Sequence, residues 1–170
     1  MKIKNHFFVT AILITGFAIN TKAQSTATAT ATATIVTPIS ISKTADMSFG
    51  NIAVNATTGG TVVLATAGTR TSTSGVTLPA TTGTVTAAAF TVNGSGSYTY
   101  AITLPTTVTL THSGGVETMS AGSFTSNPSG TGTLSSGTQN VAVGSTLTVA
   151  AAQLAGVYTS GNFNVTVNYN

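Results

Sequence analysis

The sequence predicts an all-β protein, and three observations carry that prediction. Thr alone supplies 35 of the 147 residues from Gln24 to Asn170, with Ser, Gly, Ala, Val and Asn filling most of the rest. Thr and Val are stiff at χ1 and suit the pleated, half-buried surface of a sheet. Short apolar runs alternate with Gly, Asn, Ser and Pro along the whole chain, while the helix-forming residues Glu, Lys, Arg and Gln are nearly absent.

Residues 1–23 read as a secretory signal peptide. Lys2 and Lys4 make a positive start, "FFVTAILITGFAI" is an apolar run, and "TKA" before Gln24 is a small-residue cleavage site. The run falls short of the roughly 20 apolar residues that a membrane-spanning helix needs, and no Cys follows it to carry a lipid. Export is therefore expected, with no membrane span left after cleavage.

Cleavage also changes the charge. The formal +3 describes the precursor. Lys2, Lys4 and Lys22 leave with the leader, and Lys43, Arg70, Asp46 and Glu117 remain, two cations against two anions. Nucleic-acid binding needs clustered Lys and Arg on the phosphates, so that class of partner is excluded. With no Cys there are no disulfides, and packing and pairing alone hold the fold.

The exported chain is one domain's length. Residues 24–36 form an N-terminal extension or first strand, and residues 37–170 form the main domain. "STATATATAT", Ser25 to Thr34, alternates two small residues, placing Ala27, Ala29, Ala31, Ala33 and then Ile35 on one face and Thr on the other. β-branched Thr argues against a slack linker, and a single run argues against an ice-binding ladder. Two readings remain: a first strand of the same domain, or a strand donated to another molecule.

Further along, "TIVTPISIS", "MSFGNIAV", "TVVLA" and "TVTAAAFTV" read as short strands, and "NGSG" reads as a hairpin turn. "SYTYAITLP" sets Tyr98, Tyr100, Ile102 and Leu104 on one face and stops at Pro105, and "TVTLTH" follows. "AGSFTS" and "GTLSS" are weaker strands. "QNVAVGSTLTVA" keeps Val141, Val143, Leu147 and Val149 in phase, with a bulge or bend expected at Gly144. "VAAAQLAG" predicts one helical turn. The last stretch, "GNFNVTVNYN", is the clearest strand: Phe163, Val165, Val167 and Tyr169 face a core while Asn162, Asn164, Thr166, Asn168 and Asn170 face water. Eight to ten such strands with this spacing suggest an immunoglobulin-like antiparallel β-sandwich. No period of 20 to 50 residues signals a solenoid.

Chemistry is scarce. The exported chain has one His (His112), one Asp (Asp46), one Glu (Glu117), one Lys (Lys43) and one Arg (Arg70). A nucleophilic site needs a base beside the nucleophile and a group orienting that base, and no G-x-S-x-G elbow accompanies the abundant Ser. We expect no catalytic residue, no cofactor and no metal site. "GTRTSTSG" around Arg70 is a candidate contact loop. Sequons at Asn55, Asn93 and Asn164 are expected by chance in so Thr- and Asn-rich a chain.

"ISISKTADMSFGNIAV", "GTRTSTSGVTLP", "AAFTVNGSGSYTYAITLP", "GTQNVAVGSTLTV" and "GVYTSGNFNVTVNYN" follow in an order that resembles the bacterial domain of unknown function 4402 family. That family looks related to spore coat protein U and to the pilins of the chaperone–usher route. The resemblance implies an incomplete sandwich missing its last strand, carried to the periplasm and then to the cell surface of a Gram-negative bacterium. Pilin subunits end on an alternating strand with a penultimate Tyr, and Tyr169 stands there. They carry a Gly fourteen residues from the end, where this chain has Val157 with Gly156 beside it. The function expected is a structural subunit of a fimbria or coat, adhesive or mechanical, joined to its own kind or to related subunits by donor-strand addition. A periplasmic chaperone is a further expected partner. The alternative is a monomeric secreted binding module, for a glycan or another surface ligand, with a self-contained sandwich.

Overall fold

The computed structural model describes residues 22–170, so the leader lies outside the described residues apart from Lys22 and Ala23. The chain divides into one unit ending at Thr34 and a second running from Ile35 to Asn170. In the first, residues 22–34 are exposed and form no strand. Alternation alone does not make a ladder, because each strand needs a neighbour to take its backbone hydrogen bonds.

The second unit lays down β1 (Ser40–Ala45), β2 (Ser48–Phe49), β3 (Ala53–Val54), β4 (Gly60–Leu64) and β5 (Arg70–Ser72). It continues through β6 (Val76–Thr77), β7 (Val85–Thr86), β8 (Ala88–Asn93), β9 (Thr99–Thr103) and β10 (Thr107–His112). The last five are β11 (Thr118–Asn127), β12 (Thr131–Thr133), β13 (Thr138–Val149), β14 (Tyr158–Ser160) and β15 (Thr166–Tyr169). The result is an all-β, antiparallel, sandwich-like fold. One large sheet runs β1-β8-β13-β11-β10-β14, with β4 on β13 and β5 on β4. Against it pack three small ladders, β12-β9-β15, β2-β7 and β3-β6.

β13 is the spine. Along one edge it pairs β8 over Thr138–Val143 and β4 over Ser145–Val149, with Gly144 between the two partners. A Cβ at Gly144 would run into the Leu64 carbonyl oxygen, so this position admits the backbone of β4. Of the bulge or bend expected at Gly144, the bulge is corrected, because no register slip falls on this residue. Val141, Val143, Leu147 and Val149 are all buried and in phase. The register slips instead on β11, between Gly122 and Thr125, where Ser123 has a φ of 48°.

Two cores lie side by side along this spine. Val141 and Val143 join Phe90, Val92, Tyr100, Ile102, Leu134, Val165 and Val167 under β9 and β15. Leu147 and Val149 join Phe49, Val62, Leu64, Val76 and Ala121 under β2 and β6. Tyr100 is fully buried and its hydroxyl donates to Gln139 Oε1 at 2.7 Å. Burial pushes that phenol's pKa above its ordinary value.

Two further expectations are corrected. "NGSG" is not a hairpin turn, because β8 belongs to the large sheet and β9 to the β12-β9-β15 ladder. The loop carries the chain from one layer to the other, its Gly94 N–H donating to Gly137 O and the Gly137 N–H to Gly96 O. "VAAAQLAG" closes turns but no helix. One turn is too short to repay nucleation, and Ala152 adopts a φ of 54°. The final stretch behaves as expected: Val165 and Val167 are buried, Phe163 and Tyr169 half-buried, and the Asn residues exposed, although only Thr166–Tyr169 forms a ladder.

Candidate functional site

The second layer is discontinuous, and the break leaves an open apolar trough. β2 pairs only with β7, β3 only with β6, β14 only with β10 and β15 only with β9 among the described residues. Between the wall Met47–Val54 and the wall Leu154–Asn164 lie two clefts, of about 560 and 830 Å³. They share Met47, Phe49, Leu110, Tyr158 and Thr159, and so adjoin. The smaller is lined by Phe90, Phe124 and Phe163, the larger by Ile52, Leu147 and Val157. Strand edges without ladder partners border it, and such edges accept an added strand.

Of the four charged side chains of Gln24–Asn170, two line this trough and two bond to its walls. Lys43 and Asp46 line the smaller cleft and pair at 2.6 Å. Arg70 holds one wall: its guanidinium donates to the carbonyls of Phe49, Asn51 (2.7 Å) and Thr82 (3.3 Å). The residue expected to mark a contact loop thus has its charged end engaged by backbone. Glu117 holds the other wall. Its Oε2 accepts from Gln153 Nε2 at 2.8 Å and from the Leu154 N–H at 2.9 Å, with the Tyr158 hydroxyl 3.2 Å away. The neighbouring His112 ring sits edge-on to Tyr158, centroids 5.0 Å apart, and its Nδ1 accepts from the Gly114 N–H. Gly156 is required here, because any side chain would collide with the His112 imidazole.

Glu117→Ala should therefore loosen the wall. Hydrogen bonds to a charged group are worth about 1.5–3 kcal/mol before solvent screening, and this carboxylate is partly exposed, so the loss should fall at or below the lower figure. Amide exchange of residues 153–158 should speed up while that of β13 stays unchanged.

The other expected site residues fall in different places. Phe163 lines the trough, whereas Val165 and Val167 are buried in the core with Tyr100 and Ile102. Tyr169 packs on the same core. Its hydroxyl accepts from the Ser95 N–H at 2.7 Å and donates to Thr37 O at 2.8 Å. Ala27, Ala29, Ala31 and Ala33 are exposed in the N-terminal unit. Ile35, the first residue of the second unit, is 97 % exposed. Sequence reading missed Glu117, Gln153 and Tyr158 as a wall-pinning group. No cluster of three His, Cys, Asp or Glu occurs among the described residues.

Fold and trough together define a sandwich-like, all-β protein with an apolar cleft between the β2–β3 segment and the β14 edge of the large sheet. The sequence model described as "Domain of unknown function (DUF4402)" matches residues 39–169, and the chain belongs to that family. No curated protein and no solved structure matches it.

Proposed function

We propose that this chain is an exported structural subunit of a surface fimbria or coat, without catalytic activity, assembled by donor-strand addition. The observation that carries the reading is the open trough. An apolar groove between unpaired strand edges is the shape that takes an extended segment, with main-chain hydrogen bonds for affinity and pockets for alternate side chains. The occupant we assign is the N-terminal extension of a second copy.

Length and chemistry support that assignment. The wall from Leu154 to Asn164 is eleven residues long, and the ten residues Ser25–Thr34 span about 33 Å when extended. The extension has no charge, Gly or Pro to interrupt pairing, and its alternation offers one apolar face. Before assembly the trough would expose apolar surface, which is the state a periplasmic chaperone covers.

The test is deletion of residues 25–34. The shortened protein should fold, remain monomeric and take up a Ser25–Thr34 peptide added to it, while the intact protein gives high-molecular-weight ladders in unheated gels. Unfolding on deletion, or a wild type without ladders, would return the chain to the self-contained binding module. Export is checked separately: intact-mass measurement of secreted protein should place the mature N-terminus at Gln24.

A further inference from the structure

We propose that the outward face of the large sheet is a second contact between copies of this chain, one by which assembled threads lie side by side. It is separate from the trough, and no residue on which it stands lines either cleft. Its starting point is where the charges are. Lys43 and Asp46 line the trough, and Arg70 and Glu117 bond to its walls. The outer face of β10, β11, β13, β4 and β5 is left with none. A solvated surface ordinarily carries charges that hold copies apart.

Period two sets what that face shows. Val62, Leu64, Ala121, Leu147 and Val149 are buried, so the residues between them point the other way. The register puts Thr109 opposite Ser120, Ser120 opposite Thr148 and Thr148 opposite Thr61. The Thr61 hydroxyl meets that of Thr73 at 2.9 Å, which makes the row five hydroxyls wide. The next row, two residues along each strand, is Thr107, Gly122, Thr146, Val63 and Thr71. Val63 is the one large apolar side chain in the two rows, and it is 40 % exposed.

The chemistry of these rows selects a copy of themselves. A charged side chain repels its own image, whereas a hydroxyl both donates and accepts and so pairs with an identical hydroxyl. An isologous contact about a two-fold axis is therefore open to this face. β-branched Thr, already stiff at χ1, loses little freedom when covered. Size sets the strength. Five strands about 4.8 Å apart, over the five residues Thr107–Thr111 at about 3.4 Å each, make a patch of roughly 400 Å² a side. The pair would bury about 800 Å², below the roughly 1,200–2,000 Å² of a stable complex. Single subunits should stay apart, and the contact holds where a thread repeats it. In that respect it rests on the donor-strand assembly proposed above.

Ser120→Glu with Thr71→Glu tests this in the full chain, since both positions are exposed and clear of the trough. Wild-type threads should lie paired or bundled in electron micrographs and pellet at low speed. They should do so equally between about 0.01 and 0.15 M salt, because no charge takes part. The double variant should give single threads and pellet about tenfold less, like charges now facing each other, with ladders in unheated gels unchanged. Thr131→Glu with Asn168→Glu sets the same charge on the outer face of the β12-β9-β15 ladder and should pellet like wild type. Equal loss in both pairs would trace the effect to net charge and overturn the face contact, leaving donor-strand assembly standing. Wild-type threads that stay single, or gather only on added microcrystalline cellulose, would overturn it in the same way, the latter giving the face to a neutral glycan. A wild type without ladders would overturn both.

Discussion

Tyr169→Ala is expected to cost about 3–5 kcal/mol, the range for cutting a large aromatic out of a packed site. A domain of this size has only about 5–15 kcal/mol in hand, so the variant should accumulate poorly or melt far below wild type. The ring packs on the core under β9 and β15, 5.7 Å from that of Tyr98, and its hydroxyl joins the β8–β9 loop to the residues before β1. Tyr169→Phe separates the two contributions. It keeps the ring and removes the hydroxyl bonds, worth about 1 kcal/mol each. Denaturant midpoints of the three proteins should rank wild type, Phe, Ala, with the larger gap between the last two. Wild-type melting of the Ala variant would show that the strand end bears no load.

Ala29→Asp with Ala31→Asp should abolish assembly while leaving the monomer's stability unchanged. Both positions are exposed and outside any strand, so the isolated subunit loses nothing. In the partner's trough the carboxylates would face apolar side chains such as Phe90, Leu110 and Phe163, and burying an unpaired charge there is heavily penalised. Thr28→Asp with Thr30→Asp places the same charge on the face that stays wet, and ladders should persist. Equal loss of ladders in both pairs would mean that no face of the extension is selected.

Why strands were legible and the trough was not follows from particular residues. Phe163, Val165, Val167 and Tyr169 alternate with Asn and Thr, and period two leaves a chain little choice of face. The order of the five quoted segments was enough to indicate the family that the match over residues 39–169 shows. Pairing was harder. Nothing local distinguishes a Gly loop that closes a hairpin from one that crosses between layers, which is how "NGSG" misled. Gly144 signalled a backbone peculiarity correctly but not its cause, since the obstacle, Leu64 O, is 80 residues distant in sequence. Glu117 and Arg70 carry no periodic signal at all. Each is a lone charge, and its partners are backbone groups and amides that any sequence could supply.

The spine strand has a mechanical meaning. Antiparallel ladder bonds lie across the strand direction, so tension along β13 meets them side by side rather than one after another. β8 and β4 divide one edge of that strand and β11 holds the other. A pull on Ile35 reaches the sheet through β1 and loads the β1–β8 ladder in shear before it is passed on to β13. Unzipping would require a force at right angles to the strands.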